Sequence, residues 1–300
     1  MENYNGSLNQ HWNYVDKFII VEAAETHTGQ PKPFNFDARR FEKFQSKIIY
    51  HQIKNFNEEI QKDGNQLLDR YSLHDRSRAG QFTDDWIRDH FQGNYPIKIL
   101  KDLGAADTDI VYLSALDEIL SGKAFEAAVE IFSKDDDLHP LKSGDSFVQY
   151  ENGAHFLARP SFGFNLDMYV YKFNLFCKNI AVAQMTQFSL LKKILPATIR
   201  SLSMHTHKNI DNAGWHFTFL DDTDGDRVFS KHKSWAHSRD HLPGQKIKFT
   251  HDSKEESLKR LFLDYEVKKV DITEQTHPKY LIDNLDKYKN YILDKEIDLK

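Results

Sequence analysis

Two adjacent carboxylates, Asp117 and Glu118, follow a short apolar run and are the residues of this chain best suited to chemistry. The run, residues 110–114, contains no glycine or proline, which predicts a buried strand. Carboxylates that end an interior strand lie at the edge where open α/β sheets bind their ligands. Their hard oxygen atoms suit Mg²⁺ or Mn²⁺, and such an ion would carry a diphosphate. The alternative is a solvated acidic loop after the strand.

Apolar runs in the first part of the chain predict strands, and a long helix precedes the third of them. The predicted strands are 17–22, 47–53 and 110–114. A helix is predicted at 84–103, with Thr83 as its N-cap and Gly104 just past its end. Pro96 must kink or split this helix. A helix followed directly by a strand is typical of a parallel sheet flanked by helices, so we expect an α/β fold.

The second part of the chain is rich in aromatic residues and also predicts alternating elements. The predicted elements are a long strand or hairpin at 162–176, a helix at 190–200 interrupted by Pro196, a strand at 214–220, a turn at 221–226 and an amphipathic helix at 278–293. The Asp224-Gly225 pair favours a hairpin turn over a calcium loop, because its glycine is misplaced for an EF-hand. Since no repeat or Gly/Ser linker interrupts the sequence, we expect a single domain over 1–300 with a C-terminal helical segment at about 254–293.

Composition and charge exclude several classes of protein. A net charge of −5 with mixed signs is unlike a nucleic-acid-binding surface. The single cysteine, Cys177, excludes an internal disulfide and any multi-thiolate metal site. Fifteen histidines are scattered without a His-Glu-x-x-His pattern, so most are expected at the surface or in the core. The N-terminus is polar and no window reaches about 18 uninterrupted apolar residues, so we expect a cytoplasmic protein without a membrane span.

Six segments, in this order along the chain, resemble glycosyltransferase family 17. They are 18–22 (Phe-Ile-Ile-Val-Glu), 26–33 (Thr-His-Thr-Gly-Gln-Pro-Lys-Pro), 113–119 (Leu-Ser-Ala-Leu-Asp-Glu-Ile), 212–217 (Asn-Ala-Gly-Trp-His-Phe), 234–237 (Ser-Trp-Ala-His) and 277–281 (His-Pro-Lys-Tyr-Leu). Each segment alone is a weak signal, and their shared order carries the resemblance. The family includes the bisecting β-1,4-mannosyl-glycoprotein N-acetylglucosaminyltransferase.

The resemblance implies a GT-A type, Rossmann-like fold with a mostly parallel central sheet flanked by helices. It also implies a nucleotide-sugar donor (a UDP-sugar is the expectation), a divalent metal (Mn²⁺ or Mg²⁺) and inverting transfer of a sugar such as N-acetylglucosamine to a glycan acceptor. The residues are compatible with this chemistry, because a metal held by Asp117 would stabilise the charge of the leaving nucleoside diphosphate. Glu22 would lie near the nucleotide base or ribose; the alternative for Glu22 is a strand-end carboxylate that faces water.

Two departures from the family pattern bear on donor binding. The family's acidic motif is Ser-Asp-x-Asp-Glu-Ile, and Ala115 stands at its first aspartate, while Asp117 and Glu118 keep the later positions. One carboxylate fewer lowers the expected metal affinity or makes the metal dispensable. Family members also carry an apolar strand before the position of Tyr14, so we expect either a truncated start or a sheet that lacks this strand.

Further residues of the matching segments complete the predicted donor and metal site. They are Lys32 on a donor phosphate, Trp215 stacked on a sugar, His216 on phosphate or metal, and His237 as the non-carboxylate metal ligand. The alternatives are, respectively, an exposed lysine, two core residues of an aromatic strand and a surface histidine.

The predicted catalytic residues are Asp117, Glu118 and Asp167. Inversion needs a base that takes the proton of the acceptor hydroxyl on the opposite face of the sugar. Asp167 and Glu151 lie in the aromatic part of the chain, where an acceptor should bind, and each is a candidate for this base. Solvated strand carboxylates are the alternative for both.

The sequence leaves three functions open. The first is an inverting, metal-assisted glycosyltransferase. The second is a non-catalytic or weakly active homologue that binds a sugar or nucleotide, which Ala115 favours. The third is a nucleotidyltransferase, which would use the same strand-end carboxylates. Binding and turnover of nucleotide sugars, with and without Mn²⁺, distinguish the three.

Overall fold

The N-terminal part of the protein contains a two-stranded parallel sheet. The computed structural model describes residues 2–68, 84–134, 148–151, 154–157, 161–201, 209–236 and 253–294. The first elements are helix α1 (Glu2–His11), strand β1 (Phe18–Ala23), a 3-10 helix (Ala38–Lys47), strand β2 (Ile48–Ile53) and helix α2 (Phe56–Leu67). β1 and β2 run parallel, which the long crossover through the 3-10 helix permits. Both predicted strands are confirmed to within one residue at either end.

Helices and two short strands follow in the middle of the chain. They are α3 (Asp84–Asn94), α4 (Pro96–Asp102), β3 (Ile110–Leu113), β4 (Glu118–Leu120) and α5 (Gly122–Lys134). Pro96 lies in the first turn of α4, where a backbone N–H would have no helical partner anyway. The proline therefore splits the predicted helix into two. A strand before Asp117 is confirmed, but it is not the buried interior strand predicted, because Ile110 is exposed and, among the described strands, β3 pairs with β8 alone.

The rest of the chain supplies most of the main sheet and a set of short C-terminal helices. The strands and helices up to the site are β5 (Val148–Glu151), β6 (Ala154–Leu157), β7 (Ser161–Val170), β8 (Leu175–Gln187), α6 (Phe188–Leu191), α7 (Pro196–Ser201), β9 (Asn209–Thr218) and α8 (Asp226–Ser234). The last elements are α9 (Lys254–Asp264), β10 (Lys268–Lys269), α10 (Lys279–Ile282), α11 (Leu285–Tyr288) and a 3-10 helix (Lys289–Tyr291). The single helix predicted at 278–293 is wrong, because Asn284 leaves the helical conformation (φ −129°, ψ 28°) between α10 and α11. No helix among the described residues is long and apolar enough to cross a membrane.

The main sheet is mixed and mostly antiparallel, so the prediction of a mostly parallel central sheet is wrong. Its strand order is β10-β8-β7-β9-β4, and β3 pairs with β8 outside this order. Among its described strands only β7 and β9 pair in parallel. The physical reason is the short connection 171–174 between β7 and β8, since strands joined by a tight turn must be antiparallel. The fold is mixed α/β, and its GT-A type stays a prediction.

The turn after β9 leads into helix α8 and not into a hairpin. One carboxylate oxygen of Asp221 accepts hydrogen bonds from the backbone N–H groups of Arg227 (2.9 Å) and Val228 (3.0 Å). A carboxylate on the free N–H groups of a first helical turn stabilises the start of the helix. Gly225 precedes the helix in the left-handed conformation (φ 102°), which glycine adopts without strain. The hairpin turn predicted from Asp224-Gly225 is therefore wrong.

A cleft lies between β1 and β3 and separates the parallel pair from the main sheet. Residues 18–22 and 109–113 line its two sides, and helices α1, α3, α4 and α5 contribute further lining residues. Among the described residues, no strand joins β1 to β3. The cleft measures about 1420 Å³, so it is large enough for a ligand of several rings.

His11 connects α1 to the main sheet in a neutral state. Its side chain is buried, and its Nε2 accepts a hydrogen bond from the Leu120 N–H at 3.0 Å. Burial lowers the pKa of His11 to about 4, whereas the unfolded chain binds the proton near the ordinary histidine pKa of about 6.5. Protonation therefore favours the unfolded state as the pH falls through this window.

Acidification should reveal His11 in the free energy of unfolding. The stabilisation is complete above about pH 6.5 and decreases toward pH 4, so we expect a loss of roughly 2 kcal/mol between pH 7.5 and pH 5. Urea unfolding of the wild type and of His11→Gln at both pH values isolates this effect, because His51 and His277, whose pKa values burial also lowers, are present in both proteins. Equal pH dependence of the two proteins would remove His11 from this role.

Candidate active site

The loop between β3 and β4 carries Asp117, and basic side chains surround its carboxylate. His216 Nε2, on β9, lies 3.7 Å from Asp117 Oδ2, and Lys231 Nζ, on α8, lies 3.7 Å from the same oxygen. The Asp117 carbonyl accepts a hydrogen bond from the Phe217 N–H at 2.9 Å. This bond continues the pairing of β4 with β9 and fixes the loop beside His216.

The neighbours of Asp117 determine its charge. Burial alone would raise the pKa of the Asp117 carboxyl, but the charges of His216 and Lys231 outweigh burial and hold this pKa well below its usual range. A carboxylate with a lowered pKa is a weak base. Asp117 is therefore better suited to hold a cation than to accept a proton.

Glu118, which is buried, forms an ion pair with the partly exposed Arg200 of α7. The Glu118 side chain is 3% exposed, and the guanidinium donates to its two oxygens at 2.8 and 2.7 Å. One of these oxygens also accepts from the Ala115 N–H at 2.7 Å, and Arg200 donates to the Leu113 carbonyl at 3.2 Å. The pair thus connects β3, the loop 114–117 and β4, and it fixes the loop that carries Asp117.

His216 and Trp215 point to opposite faces of the main sheet, because successive residues of a strand alternate. His216 pairs with Glu118 across β9 and β4, so these two share a face. Trp215 packs in an apolar cluster with the C-terminal helices, and its Nε1 donates to the Thr276 carbonyl at 2.8 Å. Asp167 pairs with Trp215 across β7 and β9 and lies on this second face as well.

Glu22, at the end of β1, anchors the loop that follows the strand. Its carboxylate accepts hydrogen bonds from the Asn35 N–H (2.7 Å), the Phe36 N–H (3.1 Å) and the Tyr50 hydroxyl (2.8 Å), and Lys32 Nζ lies 3.3 Å away. Burial would raise the pKa of Glu22, but the hydrogen bonds of these backbone N–H groups outweigh burial and lower it. Glu22 therefore stays ionised and holds the loop in which Lys32 lies.

The loop after β1 and the loop after β3 meet at one end of the cleft. The lining residues there are Glu22, His27, Lys32, Ser114, Ala115 and Arg200. Helix α8 contacts both loops, since the Thr28 hydroxyl donates to the Lys233 carbonyl at 3.2 Å and Lys231 approaches Asp117. Cationic side chains at the end of a cleft attract an anionic ligand such as a diphosphate.

A candidate metal-binding triad lies beside the loop 114–117. Ligand atoms of Asp117, Glu118 and His216 all lie within 4.8 Å of one another, and carboxylate and imidazole ligands together suit Mn²⁺. Both oxygens of Glu118, however, accept hydrogen bonds from Arg200, and the Lys231 ammonium lies beside Asp117. A divalent ion would have to displace these cations, so the arrangement of the described residues does not fit a bound Mn²⁺ or Mg²⁺.

The structure brings some predicted site residues together and separates others. Those that lie around the loop 114–117 and the end of the cleft are Glu22, Lys32, Asp117, Glu118 and His216. Trp215 and Asp167 lie on the other face of the sheet, where Asp167 accepts a hydrogen bond from Asn179 at 3.2 Å. His237 and the side chain of Glu151 lie outside the described residues.

Two cations of this site, Arg200 and Lys231, are not among the residues that the sequence predicts. Arg200 is separated from Glu118 by 82 positions, and nothing local to either residue indicates that they pair. Lys231 lies three residues before the matching Ser-Trp-Ala-His segment, on the helix that ends at the first residue of that segment, Ser234. Its closeness in sequence to this matching segment is the signal that could have indicated Lys231 as a site residue.

A comparison with protein families finds a match over the N-terminal part of the chain. The model of glycosyltransferase family 17 matches residues 7–139, which confirms the resemblance and indicates a glycosyltransferase. The matched range contains the loops after β1 and β3, hence Glu22, Lys32, Asp117 and Glu118. Comparisons with curated proteins and with solved structures give no match.

Proposed function

We propose that this chain, whose residues 7–139 match glycosyltransferase family 17, transfers a sugar from a nucleotide-sugar donor to a glycan or glycoconjugate acceptor with inversion. The donor in this proposal is a UDP-sugar, and the sugar is N-acetylglucosamine. The observation that carries the proposal is the meeting of the loops after β1 and β3 at the end of a cleft of about 1420 Å³. Both loops belong to the part of the chain that the family model matches.

In this proposal the donor diphosphate lies between Lys32 and Arg200. Both side chains line the cleft, and each is 29% exposed, so each can contact a ligand there. Lys32 can turn from Glu22 to a phosphate at little cost, because Glu22 keeps its hydrogen bonds from Asn35, Phe36 and Tyr50. Charge-assisted hydrogen bonds of this kind stabilise the charge that develops on the leaving diphosphate.

His216 and Asp117 complete the proposed donor site next to these cations. Asp117 lies beside Nε2 of His216, while Nδ1 of His216 is buried without a hydrogen-bond partner among the described residues. A buried polar atom without a partner is costly unless a ligand or water satisfies it, which supports a contact of His216 with the ligand. Trp215 and Asp167 receive no donor contact in this proposal, since they lie on the other face of the sheet.

Removal of the Lys32 charge should weaken donor binding. We expect Lys32→Met to raise the dissociation constant for UDP about tenfold, because a hydrogen bond between a lysine and a phosphate contributes roughly 1.5 kcal/mol or more. Isothermal titration calorimetry with UDP and UDP-N-acetylglucosamine measures the change. Lys43→Met is the matched control, because Lys43 contacts Asn9 and the Phe44 ring and does not line the cleft. Equal losses in both variants would remove Lys32 from the donor site.

A non-catalytic or weakly active binding protein is the second candidate. It is favoured by Ala115, which lines the cleft where the family pattern has an aspartate. UDP-sugar binding without release of UDP in the presence of glycan acceptors would identify this second function. Preference for a nucleoside triphosphate over a UDP-sugar would instead support nucleotidyl transfer.

A further inference from the structure

Each carboxylate at the loop 114–117 has a cationic side chain beside it among the described residues. Asp117 and Glu118 are the two carboxylates, and Arg200 and Lys231 are the two cations that face them. Removing two charges from water is costly unless each has a partner of opposite sign. Because each carboxylate has such a partner here, the site needs no additional cation to be stable.

Lys231 is held in place from several sides. Its ammonium donates to the Thr218 hydroxyl at 3.1 Å, lies 3.7 Å from Asp117 Oδ2 and stands 4.5 Å from the centre of the Phe219 ring. An aromatic face and a carboxylate both attract an ammonium group. The capped start of α8 at Asp221 fixes the helix from which Lys231 extends.

Lys231 is also accessible to a ligand. Its side chain is 37% exposed, against 16% for Asp117. The helix that carries it contacts the loop after β1 at Lys233, through Thr28, and Lys231 itself approaches Asp117 in the loop after β3, so α8 bridges the two loops. An ammonium in this position can neutralise Asp117 and at the same time donate to a phosphate oxygen.

We infer that Lys231 takes the place of a divalent cation at Asp117, so that the donor binds without metal. The inference rests on the proposed function and deepens it, since it names what neutralises the diphosphate. It also explains why Ala115 can stand where the family pattern has an aspartate. A site in which a lysine supplies the positive charge needs no further carboxylate to bind a metal ion. The Lys231 ammonium and the Arg200 guanidinium then act on the diphosphate together with Lys32.

The test is UDP binding to the full chain with excess EDTA and, separately, with Mn²⁺. We expect the dissociation constant of the wild type to differ by no more than about twofold between the two conditions, and Lys231→Met to raise it about tenfold in EDTA. Mn²⁺ should recover part of this loss, because Asp117 and His216 are then free to bind the ion. Lys231→Arg, which keeps the charge, should bind UDP in EDTA nearly as the wild type does.

Lys233→Met is the matched control, because Lys233 lies on the same helix and its ammonium stands 4.0 Å from the Phe229 ring centre. It should bind UDP as the wild type does, and circular dichroism should show that all variants are folded. Wild-type binding that requires Mn²⁺, or unchanged binding by Lys231→Met in EDTA, would overturn the inference and leave the proposed function standing. UDP binding in neither condition would overturn the proposed function, and the inference with it.

Discussion

Arg200→Met should destabilise the protein by about 3–5 kcal/mol, because Glu118 would be left as a buried charge without its partner. The Glu118 side chain is 3% exposed, and both of its oxygens accept hydrogen bonds from the guanidinium. Arg200 also donates to the Leu113 carbonyl, so the variant loses the connection between β3 and β4 as well. Urea unfolding followed by circular dichroism measures the loss.

Two further variants separate the ion pair from a general effect of removing a charge. Lys192→Met breaks an ion pair with Asp107 in which both side chains are about half exposed, and such pairs contribute only about 0–1 kcal/mol. The double variant Arg200→Met/Glu118→Gln should recover much of the stability, because it removes the buried charge. A loss for Arg200→Met as small as that for Lys192→Met would contradict the structure at this pair.

Gly214→Ala should destabilise the protein by roughly 3 kcal/mol, since β4 passes too close to this residue for a side chain. A Cβ atom at position 214 would lie 2.1 Å from the Ile119 carbonyl oxygen and 2.8 Å from the Leu120 Cα. Both are backbone atoms, so β4 itself would have to move. The backbone of Gly214 has φ +153°, a conformation that residues other than glycine rarely adopt.

The effect of Gly214→Ala should extend to the candidate site. β4 begins at Glu118, and His216 lies two residues after Gly214 on β9. Gly93→Ala is the matched control: its Cβ would be 3.8 Å from Ala197 Cβ, an ordinary contact. Within α3 this change should be neutral or stabilise by up to about 1 kcal/mol. Thermal unfolding of both variants measures the difference, and a Gly214→Ala protein as stable as the wild type would show that β4 and β9 are not this close.

Local features of the fold could be predicted from the sequence because their causes are local. The strand that contains Glu22 and the strand before Asp117 are apolar runs bounded by polar residues. Pro96 begins a helix at the point where its ring must end the previous one. The Asp224-Gly225 pair shows the limit of local reasoning. The pair favours a hairpin turn, but similar turn residues also precede helices, and here the contact of Asp221 with the first turn of α8 decides for a helix.

The pairing of strands and charges could not be predicted, because it depends on residues far apart in the chain. Arg200 and Glu118 are separated by 82 positions. In the Asn-Ala-Gly-Trp-His-Phe segment, glycine is required at position 214 because β4 packs directly against it, and that contact is visible only in the structure. The order of elements in the first part of the chain predicts a parallel sheet, whereas β7 and β8 of the main sheet pair antiparallel.

The most direct test of the central claim is acceptor-dependent release of UDP from UDP-N-acetylglucosamine, with the product's anomeric configuration read by NMR. We expect UDP release that requires a glycan acceptor, proceeds in EDTA, gives the inverted configuration and falls in Lys32→Met but not in Lys43→Met. UDP-sugar binding without acceptor-dependent release across a panel of glycans would contradict this claim, and the cleft between β1 and β3 would then be a binding site without transfer.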